Sequence, residues 1–159
     1  MSKIIPFAPG LSPNIIPEEE VTIERLSSVL EAAFIEYEVD DDGQIYVSDG
    51  IEFPLWIDVL GKRELLCFFT YWSVERQPEA NWLARVNELN STIMLPQFSY
   101  CRNSIGGAYW MPYSGGLSVR QFIKMLRSFS GAFLAGISTF REEVAKAPEP
   151  ELAATETSA

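Results

Sequence analysis

The chain has 159 residues, 47% of them hydrophobic and 13% aromatic, which is enough for one domain with a core of its own. Twelve Lys and Arg stand against 22 Asp and Glu, a net charge of −10 that repels phosphate backbones and argues against nucleic acid as the main ligand. Histidine is absent, which removes the commonest general base and metal ligand, and the two cysteines, Cys67 and Cys101, are too few for a closed zinc site or a disulfide framework.

Residues 1–20 hold Pro6, Pro9, Pro13 and Pro17 and then Glu18, Glu19 and Glu20, the make-up of a flexible N-terminal arm. Pro6 and Pro9 break the apolar start too early for a signal peptide, and no run approaches the ~20 apolar residues of a membrane helix. The expected setting is the cytoplasm, with no membrane partner. A single domain over 21–146 follows, and the small, acidic, Pro-containing stretch 147–159 reads as a disordered tail.

Within the domain, Ile23, Leu26, Val29, Leu30, Ala33 and Phe34 form one stripe of an amphipathic helix, with Thr22 at its N-cap. From Ile45 to Val59 the odd positions are mostly apolar and the even ones include Ser48, Glu52 and Asp58. That is a half-buried strand pattern with a hairpin or bulge at Asp49-Gly50. Glu64–Trp72 reads as a strand apolar on both faces, and Pro78–Ile93 as a second helix with Pro78 at its first position. Two further strands are expected near Gln97–Cys101 and Ala108–Tyr113, joined by a turn at Gly106-Gly107. Ser118 and Gln121 have the spacing of a capping box, and Leu117 and Phe122 that of a hydrophobic staple. Phe122, Leu126, Phe129, Phe133, Ile137, Phe140 and Val144 continue a long helix to about residue 146. The order α-βββ-α-ββ-α, with strands in short-turn succession, gives an α+β domain: an antiparallel sheet of about five strands and three helices.

Three helices with one apolar face each can cover one side of such a sheet. The strands nevertheless carry large aromatics in both directions: Phe68 and Trp72 against Phe69 and Tyr71, Tyr109 against Trp110, and Trp56 on an otherwise polar face. Each ring buries about 150–250 Å² when covered, so three or four left in water exceed what monomers usually tolerate. Either the chain's own ends fold over this side, or a second subunit or another protein does. Trp56, Phe69, Tyr71 and Trp110 are the candidate protein-binding residues. Residues 1–58 hold 13 acidic and 2 basic residues, while 59–146 hold 6 acidic and 10 basic. That asymmetry suits an antiparallel homodimer or a basic peptide on the first half, and equally a solvated acidic face.

Other motifs carry less. No G-x-S-x-G, P-loop or dinucleotide fingerprint occurs. Glu38, Asp40, Asp42, Gly43, Ile45 and Asp49 fall on a calcium-loop template, but position 1 is Glu, position 12 is the shorter Asp, and a strand follows where a helix should. An acidic turn is the preferred reading. Arg120, Lys124 and Arg127 share one side of the long helix, as a solvent face or an anion site. Asn90 lies on the apolar face of the second helix with Asn87 at its edge, where buried amides either tie the helix to strand backbone or contact a ligand. Gly131, Ala132, Ala135 and Gly136 form a small-residue face suited to a close backbone approach.

The acidic turn at Asp42-Gly43 before a strand, the N-E-L-N of Asn87–Asn90 and the G-G-L-S of Gly115–Ser118, in this order of elements, resemble the YbjN-like family of bacterial sensory transduction regulators. The resemblance covers about residues 22–146. It implies a fold like that of the type III secretion chaperones and a dimer-forming, non-enzymatic protein that regulates or handles other proteins, with no cofactor. The expectation is a homodimeric protein-binding module with an unidentified protein or peptide partner and no metal. The alternative is a small-molecule sensor or enzyme with a pocket between helix two and the sheet, near Asn87 and Asn90.

Overall fold

In the computed structural model, which describes residues 14–75 and 78–146, the elements in chain order are β1 (Ile15–Ile16), α1 (Ile23–Ala32), β2 (Tyr37–Val39), β3 (Ile45–Val47), β4 (Leu55–Leu60), β5 (Leu65–Ser73), α2 (Glu79–Thr92), β6 (Gln97–Cys101), β7 (Ser104–Pro112), β8 (Leu117–Ser118) and α3 (Val119–Lys146). Strands β2 to β7 form one antiparallel sheet in the order β2-β3-β4-β5-β7-β6, and β1 pairs with β8 as a separate ribbon. The α+β class and the three helices are as the sequence led us to expect.

The caps place the helices. Thr22 accepts a hydrogen bond from the Arg25 N–H at 3.2 Å, and Ser118 accepts one from Gln121 N–H at 3.3 Å. α1 ends in a Schellman motif, with Phe34 N–H on the Glu31 carbonyl and Ile35 N–H on that of Leu30, both at 3.0 Å. The left-handed position of that motif, usually glycine, is Phe34 at φ 57°; the residue is 94% exposed and lies beyond the helix, not on its apolar stripe as the spacing suggested.

All three helices lie on one face of the sheet. Ile45, Val47, Leu55, Ile57, Leu66 and Phe68 from the strands meet Leu26 and Leu30 of α1 and Phe122, Leu126 and Phe129 of α3 in one cluster. Trp82, Val86 and Leu89 of α2 meet Phe98, Ile105, Phe133, Ile137 and Phe140 in a second. The aromatic stripe of α3 spans both, which is why this one helix is so long. Burying each such ring contributes about 2–3 kcal/mol. No helix among the described residues is long and apolar enough to cross a membrane.

Several details differ from the expectation. The antiparallel sheet, expected at about five strands, has six, and β1 and β8 form a ribbon besides. β2 is only three residues long, between Glu36 and Asp40, too short for alternation to reveal it. β1 sits inside the Pro-rich stretch that composition marked as arm. Ile16 is fully buried, Val119 N–H donates to the Asn14 carbonyl at 2.8 Å and Gly115 N–H to the Glu18 carboxylate at 2.6 Å, so residues 14–20 belong to the folded body. Residues 1–13 and the tail 147–159 lie outside the described residues.

Finally, Gly106 and Gly107 are not a turn but lie inside β7. The hairpin turns at Arg102-Asn103, at φ 48° and 60°, the left-handed pair that a type I′ turn requires. Gly107 is there because α3 comes so near: a Cβ would sit 2.5 Å from the Phe133 ring. Gly136 receives Phe98 in the same way, with its ring 2.6 Å from where a Cβ would stand. The small-residue face of α3 thus marks a close approach, though to a ring and not to backbone.

Candidate protein-binding face

Strand alternation fixes what the uncovered side of the sheet presents. Pairing Tyr46↔Trp56, Trp56↔Phe69 and Phe69↔Ala108 puts these residues in one row on the face away from the helices. The neighbouring rows are Asp58, Cys67 and Trp110 on one side, and Tyr71, Gly106 and Ser99 on the other. Trp56 stacks on Phe69 at 5.9 Å and 17° and on Tyr71 at 5.3 Å and 8°, while Tyr46 leans against it at 4.7 Å. Three of the four candidates, Trp56, Phe69 and Tyr71, therefore form one contiguous stack. Trp110 stands on the same face two strands from Trp56, 45% exposed, and Tyr71 is 54% exposed. Tyr46 completes the stack and was missed, although its place between Ile45 and Val47 already put it on the side of Trp56.

Charge is sparse here. The outward positions of β5, β6 and β7 carry none, and the carboxylates on this side are Glu38 and Asp58. Cys67, half-buried among these residues, has its thiol pushed up to about 11 by burial and by the nearby Asp58. It is held as the protonated thiol at neutral pH and is a poor nucleophile.

The remaining candidates sit elsewhere. Asn90 spends its amide on one residue: Nδ2 donates to the Phe98 carbonyl at 3.0 Å and Oδ1 accepts from the Phe98 N–H at 2.8 Å. It closes the free edge of β6 as a further strand would. Asn87 is exposed. Neither brings a polar group to a space between α2 and the sheet. Asp40 accepts from Asp42 N–H at 3.1 Å and Gln44 N–H at 2.9 Å, building the β2–β3 turn. Among the described residues no three acidic or cysteine side chains converge to hold a metal ion. Arg120, Lys124 and Arg127 are all exposed along α3.

The geometry agrees with what the chain is similar to. No curated protein matches its sequence. A crystal structure described as that of YbjN, "a putative transcription regulator from E. coli", superposes with a TM-score of 0.65 at 12% identity, covering 77% of this chain and 93% of that one; at such identity the likeness speaks for the fold alone. The profile of the YbjN family, described as "Putative bacterial sensory transduction regulator", matches residues 22–142. The six-stranded sheet, with three helices on one side and none on the other among the described residues, is thus the fold of a chain that belongs to the YbjN family.

Proposed function

We propose that this protein is a non-enzymatic regulator that works through protein contacts, as a homodimer in the cytoplasm, and that its working surface is the outer face of the sheet. One observation carries the reading: among the described residues the stack of Tyr46, Trp56, Phe69 and Tyr71, with Trp110 beside it, has no helix over it, while α1, α2 and α3 pack on the opposite face. A ring-rich surface with few charges is costly in water and is the composition of interface centres. The family description, a sensory transduction regulator, supports a regulatory role.

The pocket reading has no comparable support, because the amide on which it relied is engaged by Phe98. The test is Trp56→Lys, with mass measured by light scattering and partners recovered from native cells. Association should weaken while helical content stays the same. Unchanged mass together with unchanged recovery refutes the assignment of this face.

A further inference from the structure

Charge is most one-sided where α1 leads into β2. Residues 18–42 hold ten carboxylates and a single basic residue, Arg25, which lies at the start of α1 beside Glu19 and Glu20. The other end of α1 has no cation in its last turn. A helix C-terminus is a negative pole that favours lysine or arginine, yet the residues here are Glu31 and, just beyond, Glu36. They flank a shallow, open cleft of about 490 Å³, lined also by Phe34, Ile35 and Tyr37. Tyr37 pairs with the buried Val47 and so points to the helix side of the sheet, which separates this cleft from the face of Trp56.

Three groups at the cleft serve nothing within the chain. Tyr37 donates its hydroxyl to Glu31 Oε1 at 2.6 Å, which holds the carboxylate in place and leaves its second oxygen for another donor. Ser27, one turn earlier on the same side of α1, is 8% exposed, and its hydroxyl has no hydrogen-bond partner among the described residues. It lies beside the Tyr37 phenol, whose pKa is raised chiefly by Glu31, with Ser27 acting in the opposite sense. A buried hydroxyl left unpaired costs stability, and a donor from outside would remove that cost. Phe34 holds a bulky ring at a left-handed position and leaves it almost wholly in water, where it does nothing for the fold.

We infer that this cleft receives a lysine or arginine side chain from a basic segment of a partner protein, with an apolar neighbour of that side chain against Phe34. The ammonium or guanidinium answers Glu31 and Glu36 and gives an N–H to Ser27 Oγ. Phe34 offers the cation a ring face and its neighbour an apolar surface. Charge complementarity selects this occupant. The acidic run continues through the β2–β3 turn at Asp40, Asp41 and Asp42, so a segment with several basic residues meets further carboxylates beyond the cleft. The cleft is also too open to enclose a free amine. This contact is additional to the one on the outer face and does not depend on it.

The test uses the full chain and a short fluorescein-labelled peptide of alternating arginine and leucine, with binding read by fluorescence anisotropy. The wild type should bind this peptide and should not bind its counterpart with glutamate in place of arginine. Phe34→Gly suits the left-handed backbone, so it should stay folded by circular dichroism while binding weakens about 10-fold or more. Glu31→Gln should weaken binding about 3–10-fold. Glu88→Gln removes the same charge from α2, beside β6 at the opposite edge of the sheet, and should change nothing. Ser27→Ala separates binding from folding: its urea midpoint should rise, because an unpaired buried hydroxyl is gone, while binding falls about 3-fold or more. A wild type that does not bind, or that binds no better than Phe34→Gly and Glu31→Gln, overturns the inference. A Ser27→Ala protein that is less stable and binds normally overturns it too, by giving the hydroxyl a purely structural role. Free arginine that competes as well as the unlabelled peptide overturns the protein partner and leaves a site for a small cation. None of these results touches the outer face, whose own test is Trp56→Lys.

Discussion

The two faces of the central sheet are made from the same kinds of residue and meet opposite fates. Phe68 and Phe69 are neighbours on β5. Phe68 is fully buried against Phe122 at 5.9 Å and Phe129 at 6.2 Å, whereas Phe69 stacks on Trp56 at a half-open surface. Gly106 and Gly107 repeat the contrast on β7: a Cβ on Gly106 would meet the movable Ser99 hydroxyl on the outer face, and one on Gly107 would run into the Phe133 ring on the inner face. Hydrophobicity alone does not say what a strand residue is for. Its parity, and what lies over that parity, decide.

The sharpest way to break the comparison is to truncate both rings. Phe68→Ala should cost about 3–5 kcal/mol of stability, as a large core cavity does, and Phe69→Ala under 1 kcal/mol in the monomer, both read from urea unfolding. Similar losses would mean that the outer face is as covered as the inner one. Gly107→Ala should cost about 1–3 kcal/mol by overpacking against Phe133, while Gly106→Ala, whose new methyl would meet the movable Ser99 hydroxyl at 3.0 Å, should cost a few tenths. Equal effects in thermal melts would contradict the close approach of α3.

Asn90→Ala tests the sheet's edge. It strands both main-chain groups of the buried Phe98 and should cost about 1–3 kcal/mol in urea unfolding. The freed edge of β6 should also raise aggregation on heating. A neutral substitution would show that the amide is incidental.

The smallest effect is alkaline. The folded state holds the Cys67 proton more tightly than the unfolded chain, so its contribution to stability is complete below about pH 9 and is lost as pH rises toward about 11. Tyr113, raised by burial and by Glu64 and Glu18, acts with the same sign. Cys67→Ser should flatten part of the fall in urea midpoint over that window. An unchanged slope would show that the thiol is not burdened by its surroundings.

Much of this architecture was legible in the residues. Period-two alternation around Ile45–Val47 and Leu55–Val59 located the strands and separated the side of Trp56 from that of Ile57, and the caps at Thr22 and Ser118 fixed where α1 and α3 begin. What was not legible depends on partners distant in sequence. β1 exists because β8 is available to pair with it, 100 residues later, and no local pattern in a Pro-rich stretch announces that. Gly106-Gly107 reads as a turn locally and is a strand because α3 packs on it. Of the aromatic stack, Trp56, Phe69 and Tyr71 followed from parity, and which side the helices would cover required the assembled structure.

The most direct measurement is hydroxyl-radical footprinting of the wild-type protein over a concentration series. Phe34 and Met94 serve as internal references, being 94% and 102% exposed and away from the sheet's outer face. Oxidation of Trp56, Phe69, Tyr71 and Trp110 should fall together as concentration rises through the dimerisation range, while Phe34 and Met94 stay fully reactive. Outer-face rings that remain as reactive as Trp110's exposure allows at every concentration, or protection that appears at Phe34 or Met94 instead, would contradict the account.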